Sequence, residues 1–326
     1  MVIDWEHHLA PKKFAEMVRG NEMHGSLQVV LAEKYPIDVQ LRDMDEAGVD
    51  KIVLTGAPRW NVEECRMFNN EIAEWVHEHP DRFIGFAHAP PLGGDESLEE
   101  LDRAIKDLGF KGVMFRSSID SMSEETSKDS VLLGDPVLYP FYKKLVELDV
   151  PLFVHPAYFP LYPHAFPDPL RRRLKEIPRM SPGLGKEFDL ISAVVSIVDG
   201  EVFEKFPNFK VVFSHLGGGI SAIWARLLRY VGNIGDGEKQ REKSQKNFGK
   251  IYVDTAGIQG DIEALKFALT KFSPNRIVFG TDYPAEQYEN YPMHIKRLIQ
   301  DINGLDLSDK DKQLILEGNA AALLKI

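Results

Sequence analysis

Short apolar, β-branched or aromatic runs alternate along the chain with longer stretches in which apolar residues recur every three or four positions. Runs of the first kind occupy residues 2–8, 51–55, 83–88, 111–116, 152–155, 210–215, 250–254 and 276–282. Several show little polar alternation, as expected of strands covered on both faces. The stretches between them read as helices. Leu41, Met44 and Ala47 fall three apart within 39–47, which stops at Gly48, a natural C-terminal cap. Helices are also predicted over 69–78, over 97–108 before Gly109, and over 188–206, 220–230, 261–272, 291–302 and 308–324. Residues 136–155 form a complete helix–turn–strand unit, with Pro136 suited to a first turn and Pro151 ending the helix. Eight strands, each followed by a helix, predict an α/β chain closed into a (β/α)8 TIM barrel, as one domain over residues 1–326. An open doubly wound sheet is the alternative. It often carries a phosphate-binding glycine loop, and no G-x-G-x-x-G follows the first strand here; Gly217-Gly218-Gly219 fits neither common pattern.

Two stretches break the rhythm, 117–135 after the fourth strand and 156–186 after the fifth. Both lie on the side where barrels place active-site loops. The second holds Tyr158, Phe159, Tyr162, His164 and Phe166, then Arg171, Arg172 and Arg173, which suits a lid or a subunit contact.

Composition narrows the partners. The 326 residues carry a formal charge of −11, which disfavours nucleic acid and anionic membrane. Cys65 is the only cysteine, so no intrachain disulfide is expected. No basic segment followed by an apolar core opens the chain, and the longest apolar stretch, within 190–198, is far short of a membrane span. A cytoplasmic location is the default expectation.

The chemistry-bearing side chains gather at strand ends. Asp4-Trp5-Glu6-His7-His8 closes the first strand, Val154-His155-Pro156 the fifth, Phe213-Ser214-His215 the sixth and Gly280-Thr281-Asp282-Tyr283 the eighth. In a barrel these ends converge on one mouth. Side chains two apart share a face, so Glu6 and His8 are expected to face the mouth while Trp5 and His7 turn away. Singly, each has an ordinary reading: a strand-end histidine is commonly a hydrogen-bonded core residue, and Asp282 before Tyr-Pro suits a turn. Together, Glu6, His8, His155 and Asp282 form a candidate metal set with His215 beside it. Two carboxylates and two neutral imidazoles balance a divalent cation, and mixed N/O ligation suits Zn²⁺ or Mn²⁺.

These residues sit within longer motifs: Ile3-Asp4-x-Glu6-x-His8, Pro80-Asp81-Arg82-Phe83-Ile84-Gly85, Gly109-Phe110-Lys111-Gly112-Val113, Val150-Pro151-Leu152-Phe153-Val154-His155-Pro156, Phe206-Pro207-Asn208-Phe209-Lys210, His215-Leu216-Gly217-Gly218, Phe279-Gly280-Thr281-Asp282-Tyr283-Pro284 and Gly318-Asn319-Ala320-Ala321. Nearly end to end, the chain resembles the amidohydrolase-related family that includes aminocarboxymuconate-semialdehyde, γ-resorcylate and 5-carboxyvanillate decarboxylases. The resemblance implies that Glu6, His8, His155 and Asp282 ligate one divalent metal and that His215 hydrogen-bonds its water or substrate. Some relatives place His where Glu6 stands; the Glu-x-His form is more similar to the aromatic-acid decarboxylases. A second metal is not expected, because the fourth strand ends in Arg116 and Lys111 lies at its wrong end. The resemblance also implies that Arg226, eleven residues after His215, reaches a neighbouring subunit's site and binds substrate carboxylate. Arg116, Arg59 and Trp60 are further substrate-pocket candidates.

The expected reaction is non-oxidative decarboxylation of an aromatic or conjugated carboxylic acid, with a hydroxyl ortho to the carboxylate. Asp282 would deliver a proton to the carbon bearing the carboxylate, so its surroundings should raise its proton affinity. His215 would stabilise charge or shuttle the proton. Hydrolysis of a lactone or amide, or hydration, would use the same ligands. A non-catalytic barrel should have lost mouth residues, and this one keeps them. A homodimer or homotetramer is expected, with a small-molecule carboxylic acid as the other partner.

Overall fold

The computed structural model describes residues 1–17, 19, 25–56, 61–117, 131–156, 180–231, 236–258, 261–284 and 290–326. Eight parallel strands run in sequence order: β1 (Ile3–His8), β2 (Lys51–Thr55), β3 (Phe83–Ala87), β4 (Gly112–Arg116), β5 (Leu152–His155), β6 (Val211–Phe213), β7 (Tyr252–Asp254) and β8 (Ile277–Val278). The β1–β8 seam closes through backbone hydrogen bonds from Trp5 N to Phe279 O (2.8 Å), Asp282 N to Glu6 O (3.0 Å) and His8 N to Tyr283 O (2.6 Å). The fold is the (β/α)8 barrel that the alternating pattern predicts.

Alternation along the strands sorts apolar residues into two layers. Ile3, Trp5, Val53, Ile84, Phe86, Met114, Phe153, Val212 and Val278 fill the barrel, and Ala320, Leu323 and Leu324 of the C-terminal helix plug its lower end. Their neighbours, among them Leu54, Ala87, Val113, Phe115, Val154 and Phe213, face the helical shell. Burying each large apolar side chain stabilises by roughly 1.5–3 kcal/mol. Glycine makes room for the larger rings: a Cβ at Gly112 would collide with Phe86, and one at Gly85 with Phe110.

The helix Ile37–Ala47 ends at Gly48 in the left-handed conformation (φ 79°), as its sequence requires. The helix Val62–Glu78 starts earlier than its apolar pattern suggests, because the Asn61 side chain caps it by accepting from Glu64 N (2.9 Å). One helix, Gly237–Phe248, has no apolar stripe to reveal it; it buries Ser244, Asn247 and Phe248. Several strands are shorter at their C-terminal ends than their apolar runs. There the chain leaves the ladder: His215 (φ 51°) and Asp282 (φ 54°) both adopt left-handed backbone. Of the two long stretches between elements, residues 118–130 and 157–179 lie outside the described residues, and with them the aromatic and arginine cluster at 158–173.

Candidate metal centre

The β1–β2 register shifts between Asp4 and His7, a bulge that breaks strict alternation. Trp5 therefore does not turn away. It packs inside the barrel, edge-on to Phe86 (5.3 Å between ring centres) and Phe153 (6.3 Å), and Glu6, the next residue, also points inward. Asp4 locks this arrangement. It accepts from Glu6 N (3.2 Å), Thr281 N (3.0 Å) and Thr281 Oγ1 (2.6 Å) and lies 3.1 Å from His7 Nδ1. His7, stacked on Tyr283 with ring centres 4.4 Å apart, stays out of the ligand group as its register predicts.

One donor atom each from Glu6, His8, His155 and Asp282 lie within 4.8 Å of one another, all four residues buried. His155 Nε2 is 3.2 Å from Glu6 Oε1 and 3.1 Å from His8 Nε2, which is itself 2.8 Å from Asp282 Oδ1 and 3.6 Å from Glu6 Oε1. Donors about 2.0–2.2 Å from a shared ion stand about 3.0–3.6 Å apart, so this spacing fits one divalent metal. The tautomers also fit. His155 Nδ1 donates to Pro156 O (2.8 Å), which frees Nε2 as an electron-pair donor. Glu6 Oε1 and both Asp282 oxygens accept no well-directed hydrogen bond among the described residues, despite those short contacts. These oxygens crowd together with the histidine nitrogens, an arrangement that a shared cation would satisfy.

The electrostatics ask for a cation in the same place. Burial alone would lower the proton affinity of His8, but the neighbouring carboxylates of Asp282 and Glu6 outweigh it and raise the pKa to about 9. Burial pushes His155 down to about 4. Burial raises the Glu6 carboxyl, yet His155 and His8 hold it well below the ordinary range. Asp282 follows the same logic: burial raises it, while His215 and His8 lower it further, below its usual value. This is the opposite of the raised proton affinity expected of an acid at that position. His215 is shifted as well: burial lowers its pKa, but Asp282 and Glu187 lift it well above that of an ordinary histidine.

His215 is placed by backbone that tolerates left-handed turns. Leu216, Gly217, Gly218 and Gly219 continue its positive φ, and a Cβ at Gly218 would strike the Glu187 carbonyl. The glycines thus let the helix Lys186–Asp199 approach, and Glu187 Oε1 meets His215 Nδ1 at 3.1 Å. On its other side His215 Nε2 lies 3.4 Å from Asp282 Oδ2. Two residues not singled out from the sequence complete the support. Ser214 Oγ donates to Glu6 Oε2 (2.6 Å), and Asp254 Oδ1 accepts from His215 N (2.9 Å) and Ala256 N (3.0 Å). Burial, then the charge of Glu6, pushes the Asp254 carboxyl well above its ordinary value. Asp254 ends β7, and the strand-end rule that marks Asp282 applies to it equally.

Among the substrate candidates, Arg116 is buried at the end of β4, paired in register with His155. Beside it His88 is buried against Phe68 (4.8 Å), and burial, helped by the Arg116 charge, lowers its pKa to about 3. Arg226 stands apart, exposed on the helix Trp224–Val231 with its guanidinium 6.0 Å from the Tyr230 ring centre. Arg59 and Trp60 lie outside the described residues. No helix among the described residues is long and apolar enough to cross a membrane.

The family model described as amidohydrolase matches residues 3–326. The chain belongs to the amidohydrolase family. Within that family it is 28% identical over 305 residues to a 2-amino-3-carboxymuconate-6-semialdehyde decarboxylase of Dictyostelium discoideum, covering 88% of this chain and 76% of that one. It is 27% identical over 307 residues to a gamma-resorcylate decarboxylase of Polaromonas sp. JS666, covering 89% and 87%. The crystal structure of a dihydroxybenzoic acid decarboxylase from Polaromonas sp. JS666, with bound manganese and the inhibitor 2-nitroresorcinol, shares the fold at TM-score 0.80 and 23% identity, over 99% of this chain and 96% of that one.

Proposed function

We propose that this amidohydrolase-family chain is a metal-dependent carboxy-lyase that removes CO2 from an aromatic or conjugated carboxylic acid bearing an ortho hydroxyl. The observation that carries the reading is the convergence of Glu6, His8, His155 and Asp282, with His215 beside Asp282, in a chain that matches the two decarboxylases above over most of its length. Zn²⁺ or Mn²⁺ held by those four residues would supply a template and Lewis acid for the substrate oxygens.

The chain's own residues handle the proton. His215, backed by Glu187 at Nδ1, holds it at Nε2, 3.4 Å from Asp282 Oδ2. Asp282 receives it in the substrate complex and passes it to the carbon carrying the carboxylate. The C–C bond then breaks, CO2 leaves, and its bonding electrons return to the ring. Arg116, at the wall beside His155, pairs with a substrate anion. For Arg59 and Trp60 the proposed role, substrate contact, rests on the sequence alone. Arg226 serves the mouth of a neighbouring copy in a homodimer or homotetramer.

The test is CO2 release and product mass after incubating metal-loaded protein with ortho-hydroxybenzoates, conjugated dicarboxylates and simple lactones, with His155→Ala as the control. Metal-dependent CO2 release is expected. Addition of water without CO2 would replace the lyase reading by hydrolase or hydratase. Light scattering that shows monomer alone would remove the role given to Arg226.

A further inference from the structure

A cavity of about 570 Å³ opens at the floor of the barrel, under β6, β7 and β8 and against the C-terminal helix, on the face opposite the metal centre. Small-molecule sites commonly run to about 300–1,000 Å³. A basic residue stands at the foot of each of these strands and lines the cavity: Lys210 before β6, Lys250 before β7 and Arg276 before β8.

The other side of the floor shows what such residues do when they are only structural. Lys51 Nζ donates to Asp81 O (2.7 Å), and Arg82 donates to Asp50 O (2.9 Å) while pairing with Asp45 (2.8 Å). Cations there answer carbonyls and carboxylates. Lys250 and Arg276 rest on aromatic faces instead, 4.9 Å from the Phe203 ring centre and 4.6 Å from that of Tyr252. Among the described residues neither has a carboxylate within 4.0 Å; Arg276 Nη1 makes one long contact to Lys250 O (3.4 Å). Glu204, whose charge Lys250 feels, accepts a hydrogen bond from Asn247 Nδ2 (3.0 Å) and forms an ion pair with Lys243 (3.8 Å). Asp149, the carboxylate lining the cavity, is shared between Lys210 (2.5 Å) and Lys325 (2.6 Å). Burial lowers the proton affinity of Lys250, with Lys246 acting the same way. Three cations against one carboxylate still leave the cavity positive in a chain whose net charge is −11.

We propose that this cavity is a second ligand site, taking a small phosphate-bearing molecule whose anionic group sits among Lys210, Lys250 and Arg276 and whose apolar body lies against Phe209 and Leu323. The Arg276 guanidinium fork and the Lys250 ammonium, the two cations of the cavity without a carboxylate partner among the described residues, match a doubly charged oxyanion better than a single carboxylate.

The test titrates the metal-loaded protein with inorganic phosphate and with phenyl phosphate by calorimetry, using sodium chloride at matched ionic strength as the reference. Saturable binding is expected, tighter for phenyl phosphate. Lys250→Gln and Arg276→Gln should each weaken it about tenfold and leave turnover at the mouth unchanged. Heats no larger than those of sodium chloride would overturn the site. Wild-type affinity retained in both variants would also overturn it, because phosphate caught by the mouth metal is indifferent to these residues. A lowered melting temperature in unliganded variants with unaltered affinity would assign the two cations a structural role alone.

Discussion

The mouth and the lower barrel are made from the same strands, yet they solve opposite problems. Below, Trp5, Phe86, Phe153, Leu323 and Leu324 pack apolar surface with no polar atom left to satisfy except the Trp5 indole nitrogen. Above, Glu6, His8, His155, His215 and Asp282 are equally buried, but their polar atoms confront one another. Burying charge without a full set of partners costs stability. Two residues of that group also hold left-handed backbone, a further local cost of order 1–3 kcal/mol each. The lower barrel supplies the free energy that keeps the mouth assembled, and the boundary between them falls between adjacent residues, Trp5 and Glu6. Such a division separates residues that answer to activity from residues that answer to stability.

The strongest way to break this comparison is at Asp282. Asp282→Asn removes a metal ligand and the proposed carrier of the proton, so turnover should fall about 10³-fold or more. The metal-free variant should melt within a few degrees of wild type, because the substitution removes one of the buried carboxylates that crowd the mouth. CO2 release alongside calorimetric melting checks both halves. Retained turnover would remove Asp282 from the mechanism. The converse lies in the plug. Leu324→Ala should cost about 2–5 kcal/mol by urea denaturation, with kcat/KM per folded molecule within about twofold of wild type. A large kinetic defect there would show that the two regions are not separable.

A pH experiment sharpens the boundary at the mouth's flank. His88 has its folded pKa lowered from 6.5 to about 3 by burial, so the folded state keeps it neutral while the unfolded chain takes up a proton. Its contribution is fully present above about pH 6.5 and is lost as pH falls from there toward 3. Between pH 7 and pH 5 that amounts to about 2 kcal/mol. Denaturation at both pH values should show wild type losing about that much more than His88→Gln. Equal losses would mean that His88 is not held neutral by burial.

The sequence reveals these regions unevenly, for physical reasons. The barrel's strands are legible because buried parallel strands need apolar runs, and the four candidate ligands because their residue types are costly to place at strand ends without a purpose. The bulge is not legible: strict alternation sends Trp5 outward, and only the Asp4–Thr281 contacts across the seam show why it turns in. Glu187 and Ser214 are ordinary residues in helix and strand-end settings, and only folding brings them to His215 and Glu6. The polar helix Gly237–Phe248 offers no period to read.

The smallest effect tests whether the mouth depends on residues that touch no ligand. Ser214 Oγ donates to Glu6 Oε2 at 2.6 Å, which leaves Oε1 to face His155 and His8. A carboxylate with one oxygen tied can turn only about that bond, so its other lone pairs stay on the metal position. Ser214→Ala removes the tether and leaves a cavity of one oxygen, too small to disturb the apolar layer beneath. Metal affinity should drop about 10–100-fold, the usual consequence of losing a partner behind a ligand. Stability of the metal-free protein should change by about 1 kcal/mol. Competition with a chromophoric chelator measures the first quantity and urea denaturation the second. Unchanged affinity would mean that Glu6 is oriented by the β1 bulge alone, and the Asp4–Thr281 seam would then be the element that sets the geometry of the mouth.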